Sequence, residues 1–270
     1  MHGLGNDFVI LDARETLVSL TPLQVRAIAN RHTGVGCDQV IVIEPVDADA
    51  GNAAAFMRIF NADGGEVAAC GNASRCVARL LMTEQSAWHV ALQTAAGRLE
   101  AEAVEGGRVR VDMGVPRERW DEIPLAREMD TLHLDLTAGP FSDPVAVNVG
   151  NPHAVFFVDD AETAPLEEYG PVLEHGTLFP ERANIGAAQV TGPDALRLRV
   201  FERGVGLTRA CGTGACAALV AAARRGLTGR RAAVQLDGGV LRIEWTEDDH
   251  VWMSGPATTS FEGSFELEAL

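Results

Sequence analysis

Laid over itself with a shift of 141 residues (211 minus 70), the sequence repeats its anchors in order. Arg58-Ile59-Phe60-Asn61 falls on Arg199-Val200-Phe201-Glu202, and Cys70-Gly71 falls on Cys211-Gly212. Small changes of shift bring Gly5-Asn6 onto Gly150-Asn151 and Gly36-Cys37-Asp38-Gln39-Val40 onto Gly186-Ala187-Ala188-Gln189-Val190. Val111-Asp112-Met113-Gly114 likewise meets Trp252-Met253-Ser254-Gly255. One short match arises by chance, but five in a single order are best explained by two copies of one domain about a pseudo-two-fold axis. The copies are expected over 1–114 and 115–255. At 270 residues and 47% hydrophobic, the chain can fill a packed core in each.

Within each copy, runs such as Phe56-Met57-Arg58-Ile59-Phe60 and Leu196-Arg197-Leu198-Arg199-Val200-Phe201 alternate with the period of half-buried strands. Each run leads through a Gly-bearing turn to the Cys-Gly pair and then to an Ala- and Leu-rich segment. That segment reads as a helix over about 71–82 in the first copy and 212–225 in the second, the latter followed by Gly226 as a stop signal. A helix this apolar belongs at the centre of a small α+β domain with strands wrapped around it. The stretch from Gly114 to Pro140, with Pro116, Pro124 and mixed charges, reads as the crossover between copies.

Both copies thus put a cysteine just ahead of a helix, where unpaired backbone N–H groups and the positive end of the helix dipole converge and favour a thiolate. Gly71-Asn72 and Gly212-Thr213 follow, small or polar residues whose amides can cradle a carboxylate. If the two halves face each other, one carboxylate sits between the cradles with a thiol on each side of the attached carbon. Inversion by two bases needs that arrangement: one thiolate takes the α-proton while the opposing thiol delivers another to the other face. Other roles for cysteine stay open beside this one. A buried small hydrophobe is the preferred reading of Cys76, Cys216 and Cys37. Two facing thiols can also oxidise to a disulfide, a hazard of such a mechanism. A metal site is not expected, because there is no C-x-x-C pair and the gaps of six and five residues suit no usual zinc geometry.

Composition narrows the chemistry further. All 22 basic residues are Arg, so no Lys is present to form a pyridoxal-phosphate Schiff base, and no cofactor is expected. The formal charge of -16 argues against a nucleic-acid or anionic-membrane surface and for a small-molecule substrate. No apolar run approaches a membrane span, and the first residues lack the basic and apolar regions of a signal peptide. Five scattered cysteines do not read as a disulfide framework, and a cytoplasmic protein is expected.

The segments Met1-His2-Gly3-Leu4-Gly5-Asn6-Asp7-Phe8, Phe60-Asn61-Ala62-Asp63-Gly64, Ala69-Cys70-Gly71-Asn72, Gly150-Asn151-Pro152-His153, Pro180-Glu181-Arg182-Ala183-Asn184-Ile185-Gly186, Glu202-Arg203-Gly204 and Ala210-Cys211-Gly212-Thr213-Gly214-Ala215 together resemble the diaminopimelate epimerase family nearly end to end. The resemblance implies interconversion of LL- and meso-diaminopimelate, which serves lysine and peptidoglycan synthesis, with Cys70 and Cys211 as the acid/base pair. It implies that Gly71, Asn72, Gly212 and Thr213 hold the reacting end. Asn6, Gln39, Asn61, Asn151, Asn184, Glu202 and Arg203 are implied to bind substrate, and His153 and Glu202 to tune the thiols. A substrate with an amino-acid group at each end does need amides and an Arg fork for the distal carboxylate and acceptors for the distal ammonium. A lone His, and Asn residues beside Gly or Pro, would ordinarily be structural or turn residues.

The resemblance also implies two similar α+β domains, a terminal strand at about 256–270 returning to the first, closure on substrate, and a homodimer. The family usually carries a short strand ahead of the Met1-to-Asn6 run, at which this sequence begins. Gly65 stands where Ser is common and Ala73 where Gly is common, with little functional effect expected. The cysteine pair alone also admits a proline or hydroxyproline racemase, which needs no distal polar clamp such as Arg203.

Overall fold

Leu4 at φ 58° and Gly5 at φ 85° turn β1 (His2–Gly3) back on β2 (Asn6–Asp12), the double positive φ that a two-residue hairpin with the natural strand twist requires. Asn6 therefore leaves the turn in a fixed direction. The structure is a computed structural model and describes residues 1–16, 18–46 and 51–267. It divides into two units, Met1–Val111 with the chain from Ser254 onward, and Asp112–Met253.

In the first unit β2 is followed by α1 (Pro22–Ala29), β3 (Gln39–Glu44), β4 (Ala55–Asn61), β5 (Glu66–Val67), α2 (Gly71–Glu84), β6 (His89–Thr94), β7 (Gly97–Val104) and β8 (Arg108–Asp112). The sheet order is β1-β2-β3-β4-β6-β7-β8, with β5 paired to β4. Pairs β2/β3 and β4/β6 are parallel and the others antiparallel. The α2 helix packs on β1, β2, β6 and β7.

The second unit runs through β9 (Thr137–Ala138), β10 (Phe141–Ser142), β11 (Val145–Asn148), β12 (Pro152–Phe157), α3 (Leu166–Glu174), β13 (Asn184–Gly192), β14 (Ala195–Glu202) and β15 (Gly206–Thr208). It ends with α4 (Gly212–Arg224), β16 (Arg231–Leu236), β17 (Gly239–Trp245) and β18 (Val251–Gly255). Its order β11-β12-β13-β14-β16-β17 repeats that of the first unit, again with β12/β13 and β14/β16 parallel and β15 paired to β14. Helix α4 packs on strands β11 to β14, β16 and β17, and its residues Gly214 to Ala222 are buried all round, as the apolar run predicts. The fold is thus α+β, with strands wrapped around a central helix in each unit.

The ladder registers align the repeat more finely than the sequence does. Phe8 pairs with Gln39 as His153 pairs with Asn184, so the counterpart of Gln39 is Asn184, not Gln189. Gln189 instead lies opposite Arg197, and its side-chain oxygen accepts from Ala161 N at 3.3 Å. The matched Gln-Val pairs misled because strand β13 is longer than β3. The stretch from Gly114 to Pro140 belongs to the second unit, burying Ile123, Leu125 and Leu134 in its core beneath Phe141 and Phe156. A strand was expected over 256–270. The chain does pair with β1, through a bridge between Thr258 and His2, but no strand follows among the described residues, and 268–270 lie outside them. Pro256 has no N–H to donate, and Gly263 weakens any further ladder.

Candidate active-site residues

The two cysteines occupy the same structural position. Cys70 is the N-cap of α2 and Cys211 the N-cap of α4, both with extended backbone angles. The helix therefore starts at Gly71 in one unit and Gly212 in the other, with its first N–H groups unpaired within the helix.

Around Cys70, hydrogen-bond donors and acceptors fix the orientation of two carboxamides. Arg75, which can only donate, gives Nη2–H to Asn72 Oδ1 at 2.9 Å, so Asn72 turns its Nδ2 outward to Asn6 Oδ1 at 3.2 Å. Asn6 in turn gives its own Nδ2 to the Asp38 carboxylate at 3.0 Å. Asn6 Oδ1 is thereby held as an acceptor 4.0 Å from Cys70 Sγ. The backbone N–H groups of Asp7 and Asp38 each donate to the other's carboxylate, and Arg31 bridges both carboxylates at 2.7 Å, which ties the start of β2 to the start of β3. One residue further on, Gln39 Nε2 donates to Asn61 Oδ1 at 2.9 Å, and Gln39 Oε1 is buried with no hydrogen-bond partner among the described residues.

Around Cys211 the surroundings differ. Cys211 is only 4% exposed, and its sulfur accepts from Gly214 N at 3.3 Å and lies 3.6 Å from Thr213 Oγ1. Burial, then the charge of Glu202, push the Cys211 thiol well above its ordinary range, against the pull of Thr213 and the Gly214 amide. Glu202 is itself pushed up by burial, opposed by hydrogen bonds from Thr208 and Cys211. The Thr208 hydroxyl donates to Glu202 Oε1 across the β14–β15 hairpin, where Glu202 pairs with Gly206. Burial and Glu202 thus favour the protonated thiol at Cys211, which a helix start alone does not suggest.

His153 is buried, and its Nε2–H donates to Asn151 Oδ1 at 2.8 Å, with Asn184 Nδ2 at 3.4 Å from the same nitrogen. Burial, and secondarily the Arg203 guanidinium, push it down to about 3, so the ring is neutral. Its Nε2–H bond goes to Asn151, and among the described residues the ring makes no hydrogen bond to a thiol. Asn184 also donates to Pro152 O at 3.2 Å and accepts from Arg203 N at 2.9 Å, joining β12, β13 and the end of β14. The exposed Arg203 rests its Nη1 on Glu181 O at 2.9 Å. The other cysteines are buried in the core, and desolvation pushes Cys37 and Cys76 each up to about 11.

Sequence reasoning overlooked Arg75, Asp38 and Thr208, which orient the residues it did find. Asn72 and Arg75 stand three apart on one helix face, and that spacing is the one signal by which Arg75 was findable. Thr208 emerges only once the hairpin is paired.

The two-unit α+β architecture with a strand-wrapped helix in each unit defines the broad class of the protein. It is shared with the structure of a probable proline racemase from Agrobacterium radiobacter, with a TM-score of 0.66 over 94% of this chain and 88% of that one at 18% identity. Sequence comparison is narrower. The family model described as diaminopimelate epimerase matches residues 1–118 and 145–260. Proteins named diaminopimelate epimerase are 59% identical over 267 residues in Erythrobacter litoralis and 57% over 263 in Rhodospirillum centenum. The first alignment covers 98% of this chain and 96% of the relative, the second 97% and 90%. The chain belongs to the diaminopimelate epimerase family.

Proposed function

We propose that the protein interconverts LL- and meso-2,6-diaminopimelate without a cofactor, moving the α-proton between Cys70 and Cys211. The observation that carries this reading is the placement of both cysteines, in a member of this family, as N-caps of equivalent helices. Each unit, taken functionally as 1–114 with the returning tail or as 115–255, supplies one sulfur and one set of helix-start amides.

Gly71-Asn72 and Gly212-Thr213 offer N–H groups to the reacting carboxylate, and these amides also stabilise the charge that builds on it as the α-carbon becomes carbanionic. Cys211, holding its proton in its buried setting, serves as the acid in the first turnover, with Cys70 as the base. Run backwards, Cys211 must carry the charge, and the Gly214 amide and Thr213 hydroxyl then stabilise the thiolate. Glu202 raises the basicity of Cys211, while His153 acts through Asn151 and Asn184. At the distal end, the unpaired Gln39 Oε1 and the Glu202 carboxylate accept from an ammonium, Arg203 pairs with a carboxylate, and Asn6, Asn61, Asn151 and Asn184 complete the polar set. A proline-type substrate makes no use of that set. The protein is proposed to work as a cytoplasmic homodimer. No described helix is long and apolar enough to cross a membrane.

The test is incubation with LL-diaminopimelate in deuterium oxide under reducing conditions, with Cys70→Ala and Cys211→Ala in parallel. Conversion to the meso form with deuterium at the inverted carbon, lost in both variants, is expected. A folded, reduced wild type that neither converts nor exchanges this substrate overturns the assignment, and proline and hydroxyproline are then tried.

A further inference from the structure

Glu174, the last residue of α3, is a carboxylate only 3% exposed. Burying a polar side chain is costly unless it is hydrogen-bonded, and here a backbone donor meets it. Its Oε1 accepts from Gly204 N at 2.8 Å and has Arg182 Nη1 at 3.7 Å, while His175 Nδ1 lies 3.8 Å from Oε2. Gly204 is the tip of the turn between β14 and β15, with φ +73°, and the two residues before it are Glu202 and Arg203. The hairpin closes its own bond from Val205 N to Glu202 O at 3.0 Å, which leaves the Gly204 N–H directed out of the hairpin. Helix α3 comes close enough to take it because Gly170 lies against Phe201, where an added Cβ would meet the ring at 2.5 Å.

The counterpart turn in the first unit, Asn61 to Gly65, is held differently. Its own Asp63 accepts from Gly65 N at 2.8 Å, and the α1 residue Arg26 reaches Asp63 O at 2.7 Å from an exposed position. Among the described residues, only the second unit reaches its turn with a buried carboxylate, and hydrogen bonds to carboxylates are of the stronger kind.

We propose that Glu174 is a positioning residue that clamps the Gly204 amide and so sets where Glu202 and Arg203 meet the distal amino-acid group of the substrate. The inference rests on the epimerase reading for its kinetic consequence, but not for the clamp itself. Glu174→Met removes the acceptor at similar length, and Glu174→Gln keeps an oxygen for Gly204. The Met variant is expected to raise KM for LL-diaminopimelate about tenfold, the size of a lost buried hydrogen bond, with kcat falling less. Glu174→Gln is expected to restore KM to near the wild-type value. Amide hydrogen exchange of the purified full chain reads the clamp without any substrate: the Gly204 amide is protected in wild type and in the Gln variant and loses protection in the Met variant. An unprotected Gly204 amide in wild type overturns the clamp whatever the enzyme acts on. An unchanged KM in a folded Met variant, or a Gln variant as impaired as Met, overturns the positioning role. A wild type inactive on diaminopimelate defeats the epimerase reading alone, leaving the exchange result to decide the clamp.

Discussion

Cys70 and Cys211 begin equivalent helices in equivalent units, yet only one of them caps its helix. The Cys211 sulfur accepts from Gly214 N, whereas the Cys70 side chain makes no capping hydrogen bond and meets instead the acceptor oxygen of Asn6. Residues at equivalent positions near the two helix starts differ as well. Asn61 and Asn72 in the first unit stand where Glu202 and Thr213 stand in the second. Duplication thus preserved the backbone position of each sulfur while changing what each sulfur touches. A two-base catalyst gains from that, since its two thiols must hold opposite protonation states at the moment of proton transfer.

The comparison is broken most severely at Gly214, whose counterpart is Ala73. A Cβ on Gly214 would lie 2.9 Å from Val200 Cγ2 and 3.1 Å from Cys211 Sγ, while Ala73 carries its Cβ at a fully buried position without disturbing its unit. Gly214→Ala is expected to displace the sulfur and lower kcat about a hundredfold, because misplacement on the order of 1 Å costs that much. Ala73→Gly should cost about 1 kcal/mol of helix stability and leave kcat within a few-fold. Equal kinetic losses in the two variants would show that the sulfurs are equally constrained.

A smaller effect is expected at His153, whose counterpart is the non-titrating Phe8. The unfolded chain binds a proton on this ring near the usual histidine value, about 6.5, whereas the folded protein binds it only near 3. Protonation therefore favours unfolding across that window, and stability falls as pH drops through it by about 1.4 kcal/mol per pH unit. Between pH 7 and pH 5, urea unfolding of wild type should lose about 2 kcal/mol more than that of His153→Gln, which keeps a donor but does not titrate. Identical losses in the two proteins would mean that the ring is accessible to protons in the folded state.

What could be read from the sequence follows from how local each feature is. The helix starts at Gly71 and Gly212 were readable because Cys-Gly followed by an apolar run is a local signal, and the alternating runs around Arg58 and Arg199 became β4 and β14 for the same reason. The match of Gln39 to Gln189 failed because strand register is set by pairing across the sheet, which places Asn184 beside His153. Thr208, Glu174 and Asp38 reach their partners from other elements, and no spacing along the chain announces such contacts. The raised Cys211 thiol escaped for a related reason. A helix start pulls a thiol toward ionisation, and only the folded packing shows that burial and Glu202 win.

The finest test of the asymmetry separates the groups that act on Cys211 by sign. Glu202 pushes this thiol up through its charge, and Thr213 draws it down through its hydroxyl. Glu202→Gln, which makes the position resemble Asn61 of the first unit, should move the pH profile of Cys211 alkylation downward. Thr213→Val, which keeps the shape and removes the hydroxyl, should move it upward. Each is measured by iodoacetamide labelling of Cys211 in a Cys70→Ala background, which removes labelling of the other helix-start thiol. Both proteins retain the buried sulfur, so desolvation, the largest cause, is held constant and only the smaller contributions are read. Shifts of the same sign in the two variants would mean that solvent entry into the pocket of the sulfur, and not its two polar neighbours, sets its proton affinity.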